Sequence, residues 1–153
     1  MWIVIPSAGE EKIMLVRDFQ VQDSEALVEI LKANQQYGHP ELDGPESMVA
    51  VQKCVAAEFL VAEKESVPVG LMRGVFDGSR AIIYLASVHP DFQRQGIGKA
   101  LLREITLRFK QRGAKSVHVT IPGEAAFWKQ FGFRQTTRVM SAYPIDEVLA
   151  RTS

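Results

Sequence analysis

One run of residues limits what this chain can fold into more than any other: the passage from residue 82 to residue 113. Ile82 to Val88 is apolar except for Ser87, as expected of a strand buried on both faces. Downstream, Leu101, Leu102, Ile105 and Phe109 recur at helical spacing. Arg103, Glu104, Arg108, Lys110, Gln111 and Arg112 are assigned to the other side of that helix, and Gly113 stands where it should end. Glu104 and Arg108 are spaced to pair across one turn. Between strand and helix lies His89-Pro-Asp-Phe-Gln-Arg-Gln-Gly-Ile-Gly98. Gly96 and Gly98 lack a Cβ, so the backbone turns sharply there and a ligand can approach it closely. The first turn of the helix leaves N–H groups unpaired, and its aligned dipoles make that end partly positive. Together these form an anion site suited to phosphate, with Arg94 and Lys99 adding mobile positive charge.

Composition narrows the setting. The chain has 153 residues, enough for one domain with a real core. Lys+Arg and Asp+Glu both total 18, so global charge gives no case for a nucleic-acid partner or an anionic membrane surface. The single cysteine, Cys54, excludes an internal disulfide framework, suits a cytoplasmic setting, and is expected to be a buried small hydrophobe on a helix. One Cys and three scattered His give no metal-ligand spacing, so no metal is expected. Met1 to Ile5 is too short and too lightly flanked for a signal peptide or a span. A single domain over 1–153 is expected, with 1–12 as an extra N-terminal segment and 144–153 as a tail.

The other elements follow from turn chemistry and periodicity. Trp2 to Ile5 can add an edge strand or pack on a partner, and Pro6 to Gly9 then breaks regular structure. Residues 13–19 read as a strand, and Asp23 caps a helix running to about Ala33. Residues 34–44 read as loop. Pro45 and Glu46 begin a second helix with Met48, Val51 and Val55 facing inward. Residues 58–63 and 67–76 read as strands around a turn at 64–66. Asp77-Gly78 is a two-residue hairpin signal, so the strand 80–88 should run antiparallel to its predecessor. The helix then crosses to a parallel strand at 115–121. Pro122-Gly123 opens a short helix through about Phe131, Gly132 ends it, and residues 133–143 are expected to return as a strand.

The run Gln93-Arg-Gln-Gly-Ile-Gly98 resembles the acyl-CoA signature Gln/Arg-x-x-Gly-x-Gly/Ala of the GNAT N-acetyltransferase superfamily. Phe127-Trp-Lys-Gln-Phe-Gly-Phe133 and the order of elements from about Ile13 to Tyr143 resemble that family too. A Walker-type loop is not matched, because no Gly-Lys-Ser/Thr appears. The dinucleotide fingerprint fails at its third glycine, where Leu101 stands. The resemblance implies an α/β fold: a mixed, mostly antiparallel twisted sheet, a splayed parallel strand pair and about four helices. It implies that acetyl-CoA enters the splay as acyl donor and that an amine receives the acetyl group directly. Carried over, the backbone of Ala86 and Val88 pairs with the pantetheine arm. Gln93, Arg94, Gln95, Gly96, Ile97, Gly98, Lys99 and Ala100 hold the diphosphate. An N–H near Val88 would stabilise the oxyanion.

The resemblance is incomplete where proton chemistry is concerned. An ammonium ion has no lone pair, so a base must take its proton. Many family members carry a glutamate near the position of Tyr84, but no carboxylate occurs from Ala81 to Pro90. His118 is the replacement the resemblance leaves; it reads equally as a hydrogen-bonded or outward-facing strand residue. His89 and His39 read as loop residues. The family tyrosine that protonates the thiolate falls at Trp128, which does not titrate. Trp128 therefore reads as a wall for the pantetheine or as core, with Tyr84 and Tyr143 as candidate acids. An asparagine common before that helix is replaced by Ile121-Pro-Gly123. Three readings stand: an acetyl-CoA-dependent N-acetyltransferase, an acyl-CoA-binding sensor with little transfer activity, and, well behind, a nucleotide-phosphate site. A homodimer is compatible with the exposed strand edges.

Overall fold

The computed structural model describes residues 2–5, 12–120 and 125–152. The chain forms two compact units, Met1–Ile121 and Pro122–Ser153.

Among the described residues the first unit carries a six-stranded sheet in chain order. Strand β1 (Trp2–Ile5) pairs antiparallel with β2 (Lys12–Asp18), opposing Trp2 to Leu15, so the apolar start of the chain is an edge strand. The expected break at Pro6 to Gly9 lies outside the described residues. β3 (Ala57–Lys64) and β4 (Val67–Phe76) form a hairpin whose turn residues Glu65 and Ser66 have φ of 51° and 65°. β4 and β5 (Ala81–Val88) form the next hairpin. Asp77 builds its turn: its carboxylate accepts the N–H of Ser79 and of Arg80, both at 2.8 Å, and those bonds hold its pKa below the ordinary value. β6 (Val117–Val119) pairs parallel with β5.

Helices cover both faces. α1 (Ser24–Ala33) and α3 (Pro45–Lys53) lie on one, joined by the single turn α2 (Pro40–Asp43) inside the segment read as loop. Leu27, Ile30, Leu31 and Met48 pack there on Phe59, Val61 and Leu71. α4 (Ile97–Gln111) lies on the other face, and Gly70 and Gly74 let it approach. A Cβ on Gly70 would stand 3.3 Å from both Ile97 and Leu101, and one on Gly74 would stand 2.9 Å from Phe109.

Several local expectations are overturned. Val55 does not face inward: α3 ends at Lys53, and Val55 is 91% exposed. Cys54 lies just past that helix end and is exposed rather than buried. Asp23 precedes α1, but its side chain bonds to Arg17 and to the Gln20 N–H instead of capping that helix. Glu104 is buried rather than solvent-facing, bonded at 3.0 Å to Arg108, which also meets Asp18 and Glu58. β6 covers only three residues of the seven expected.

The second unit holds α5 (Ala126–Lys129) and α6 (Asp146–Thr152). Trp128 is buried, with edge contacts to Phe127 and Phe133. The strand expected over 133–143 is not formed among the described residues: no strand is assigned there, and residues 134–143 are exposed. Their alternation is short and crowded with polar residues, Arg134-Gln-Thr-Thr-Arg138, so little apolar area would be gained by pairing.

Candidate functional site

The site is built on the free edge of β5. Along its whole length β5 is bonded to β4 on one side. On the other side, among the described residues, β6 accompanies it from Ala81 to Ile83, and the last bond runs from the Thr120 N–H to the Ile83 carbonyl at 3.0 Å. From Tyr84 onward the edge is no longer paired with β6. A bulge coincides with that point: Arg73 opposes Leu85 while Gly74 opposes Ile83, so Tyr84 is the extra residue.

The ladder decides which groups face the open edge. His89 donates its N–H to the Val69 carbonyl at 2.8 Å, and antiparallel bonding alternates from there. Ala86 and Val88, opposite Met72 and Gly70, therefore turn their N–H and C=O groups away from β4. Their carbonyls are engaged by side-chain amides. Gln36 donates to the Ala86 carbonyl at 3.1 Å, and Asn34 and Gln93 donate to the Val88 carbonyl at 2.8 and 3.0 Å. Asn34 also donates to Ser87 Oγ at 2.7 Å. The first residue of the glycine signature thus ties the loop back to the strand end. The Ala86 carbonyl keeps a second lone pair, whereas two side-chain amides use both of those on Val88.

The loop then leads into α4. His89 Nδ1 accepts the Asp91 N–H at 3.1 Å, setting a short turn over Pro90–Phe92. Arg94 and Gly96 adopt φ of 61° and 82°, so the chain reverses twice within three residues. Gly96 is the N-cap of α4 and has no side chain with which to satisfy the first turn. Its carbonyl takes the Ala100 N–H at 3.0 Å, which leaves the N–H groups of Ile97, Gly98 and Lys99 as the unpaired donors of a fifteen-residue helix. Gln93, Arg94, Gln95, Gly96 and Lys99 are exposed, while Ile97 and Ala100 are buried and anchor the turn. Lys64 Nζ donates to the side-chain Oε1 of Gln95 at 2.6 Å, pinning the loop to the β3–β4 hairpin. Unpaired first-turn N–H groups, the exposed Arg94 and Lys99, and a stretch of β5 that β6 does not cover are thus brought together.

On the α1–α3 face a polar cluster adjoins the bulge. Arg73 is 3% exposed; its guanidinium lies 5.3 Å from the Phe59 ring and 5.1 Å from the Tyr84 ring. Nε donates to the Tyr84 hydroxyl at 3.2 Å, and Nη2 stands 3.4 Å from Asp43. Among the described residues Nη1 has no partner. Burial holds the Asp43 carboxyl above its ordinary value of 3.8, against the lowering pull of Arg73 and His39. No carboxylate occurs from 81 to 90, but Asp43, the last residue of α2, stands beside Arg73 in this cluster. Neither Arg73 nor Asp43 is singled out by the sequence reading, although a lone arginine inside the apolar run 67–76 is the signal that marks it.

His118 is placed differently from Tyr84. It lies opposite Ile82, where β5 and β6 are still paired; its side chain is exposed, with Nδ1 3.4 Å from the Ala81 carbonyl. No hydrogen bond joins it to Tyr84 among the described residues. Trp128 belongs to the second unit, and Tyr143 is half exposed there. No group of metal-ligating side chains occurs among the described residues, and no helix there is long and apolar enough to cross a membrane.

Comparison with known proteins gives a consistent picture. The family model described as "Acetyltransferase (GNAT) domain" matches residues 56–135. An acetyltransferase of Pectobacterium atrosepticum is 38% identical over 63 residues, covering 41% of this chain and 45% of that protein. The matches span about half the length of the curated relatives. A structure described as a transcriptional regulator from Bacillus halodurans superposes with a TM-score of 0.73 at 24% identity, covering 85% of this chain and 99% of that one. An aminoglycoside N-acetyltransferase solved with CoA superposes with a TM-score of 0.72 at 15% identity, covering 91% and 99%. At these identities the structural likeness concerns the fold.

Proposed function

Because the chain belongs to the GNAT acetyltransferase family, we propose that it transfers an acetyl group from acetyl-CoA to a primary amine of a small molecule or peptide, by direct attack in a ternary complex. One observation carries the reading. The uncapped first turn of α4, with Gly96 and Lys99 exposed, stands beside a strand edge that parts from its parallel neighbour at Tyr84. A diphosphate on the N–H groups of residues 97–99 sets the direction of the rest of the donor. Its arm runs back along Val88 and Ala86, and its acyl carbon comes toward the bulge.

Residue roles follow from this placement. The N–H groups of Ala86 and Val88 are the donors available to the thioester oxygen as it gains charge. The amine nitrogen forms a bond to the acyl carbon, the C–S bond breaks, and the sulfur leaves with the electron pair. The amine's proton goes to His118, through water, because His118 is exposed on the strand beside β5. Tyr84, at the point where the edge opens, gives the thiolate its proton. Arg94 and Lys99 supply screening charge for the diphosphate.

The test is release of free CoA thiol across a panel of amines, repeated with His118→Ala and Tyr84→Phe. Thiol release that depends on the amine supports transfer. The absence of a carboxylate on β5 keeps a sensor in view as second reading: stabilisation by acetyl-CoA with no thiol release on any amine would favour it and overturn the transfer reading.

A further inference from the structure

We propose that Arg73 is a positioning residue for Tyr84, held in place by Asp43, and that it sets the direction of the tyrosine's O–H; this rests on the transfer reading above. A guanidinium can only donate hydrogen bonds. In the bond from Arg73 Nε to the Tyr84 hydroxyl, at 3.2 Å, the phenol oxygen is therefore the acceptor. One of its lone pairs is taken, and its own proton must point away from Arg73. Among the described residues no other group bonds that hydroxyl, so the arginine alone fixes the rotor.

The arginine is itself constrained on three sides. Phe59 lies 5.3 Å from its guanidinium and is stacked on Phe19 at 4.4 Å, deep in the core. The Tyr84 ring lies on another side at 5.1 Å. Asp43, 3.4 Å from Nη2, supplies the compensating charge that a buried cation requires. The bulge completes the arrangement. As the extra residue of β5, Tyr84 is turned toward the face that carries Arg73, while the strand edge beside it is the one expected to receive the acyl donor.

A structural ion pair and a positioning residue make different predictions in a double-mutant cycle. The cycle compares kcat and the acetyl-CoA KM for the wild type, Y84F, R73M and the double variant, with melting curves as a check on folding. Loss of an oriented proton donor predicts a fall in kcat of about 10²-fold for Y84F. R73M should fall by a similar factor with KM unchanged, and should cost nothing further in the Y84F background. R73K, which keeps a donor, should recover part of the loss. Without substrates, the near-ultraviolet circular dichroism of Tyr84, taken as wild type minus Y84F, should collapse in R73M. Should R73M fail to fold, R73K and D43N take its place in both measurements, with a smaller expected loss. Equal factors in both backgrounds, or an unchanged Tyr84 signal, would overturn the proposal while leaving the transfer reading intact. A wild type that releases no thiol would overturn both.

Discussion

Gly96 offers the sharpest test of the donor site, because two effects of a side chain there can be separated. Its φ of 82° and ψ of 5° lie in the left-handed region, where an L-residue costs about 1–2 kcal/mol. For a chain of this size 1 kcal/mol moves Tm by roughly 2–4 °C, so Gly96→Val should lower it by roughly 2–8 °C. The second effect appears only with ligand. Acetyl-CoA at a hundred times its Kd stabilises the wild type by about 2.7 kcal/mol, an upward shift of roughly 5–11 °C. A valine side chain on the exposed turn keeps a diphosphate off the first-turn N–H groups, so most of that shift should vanish. Gly78→Val is the control. Gly78 has φ of 100° and open space around it, in the β4–β5 hairpin, so it carries the same kind of strain with no role in binding. Thermal melts of the three proteins with and without acetyl-CoA make the measurement, with ATP as comparison ligand. A full acetyl-CoA shift in Gly96→Val would refute the assignment, and a larger shift with ATP than with acetyl-CoA would return the case to a nucleotide site.

Three other outcomes follow from the packing and the ion pairs. Gly74→Ala should cost about 1–3 kcal/mol in denaturant unfolding, because its Cβ would stand 2.7 Å from the Ile82 carbonyl oxygen and 2.9 Å from the Phe109 ring, and a backbone atom cannot swing aside. Arg17→Met should cost about 3 kcal/mol in the same assay. It leaves Asp23, 3% exposed, without the two bonds of 2.7 and 2.8 Å that pair it, and Glu63 without one of 2.8 Å. Asp43 sets a pH dependence. Because burial raises its folded pKa, the folded state holds the proton more tightly than the unfolded chain. Its contribution is present below pH 3.8 and is lost as pH rises through the raised value; melting curves of D43N against wild type should show this slope missing from the variant.

The fold was legible where short-range chemistry dictates it. Asp77-Gly78 announces a hairpin, and its Gly at φ of 100° and twice-bonded aspartate form it. Leu101, Leu102, Ile105 and Phe109 announce the buried stripe of α4, and all four are buried. Misreadings occur where a residue's fate depends on distant partners. Glu104 looks like a surface charge until the fold brings Asp18 and Glu58 onto the Arg108 that it bonds. Val55 continues a helical spacing past a helix that has already ended at Lys53. Residues 133–143 alternate enough to suggest a strand, but alternation says nothing about whether a partner strand is at hand.

The same distinction separates the two halves of the candidate site. The donor half is written in consecutive residues: a turn with two glycines leads into a helix, and its unpaired N–H groups follow from helix geometry alone. The other half, the cluster around Tyr84, draws Asp43, Phe59, Arg73 and Tyr84 from three strands and the short α2, and each has an ordinary explanation when read alone. Arg73 was the one position with a readable signal. A charge inside a strand as apolar as β4 must either face water or find compensation in the interior. At 3% exposure it has done the latter, with a carboxylate, a phenol and two ring faces. Such a charge costs several kcal/mol to desolvate, and well-packed apolar residues can replace a buried ion pair without loss of stability. Stability alone therefore gives no reason for an arginine at this point of β4, and its contact with Tyr84 at the bulge is what sets it apart from a leucine.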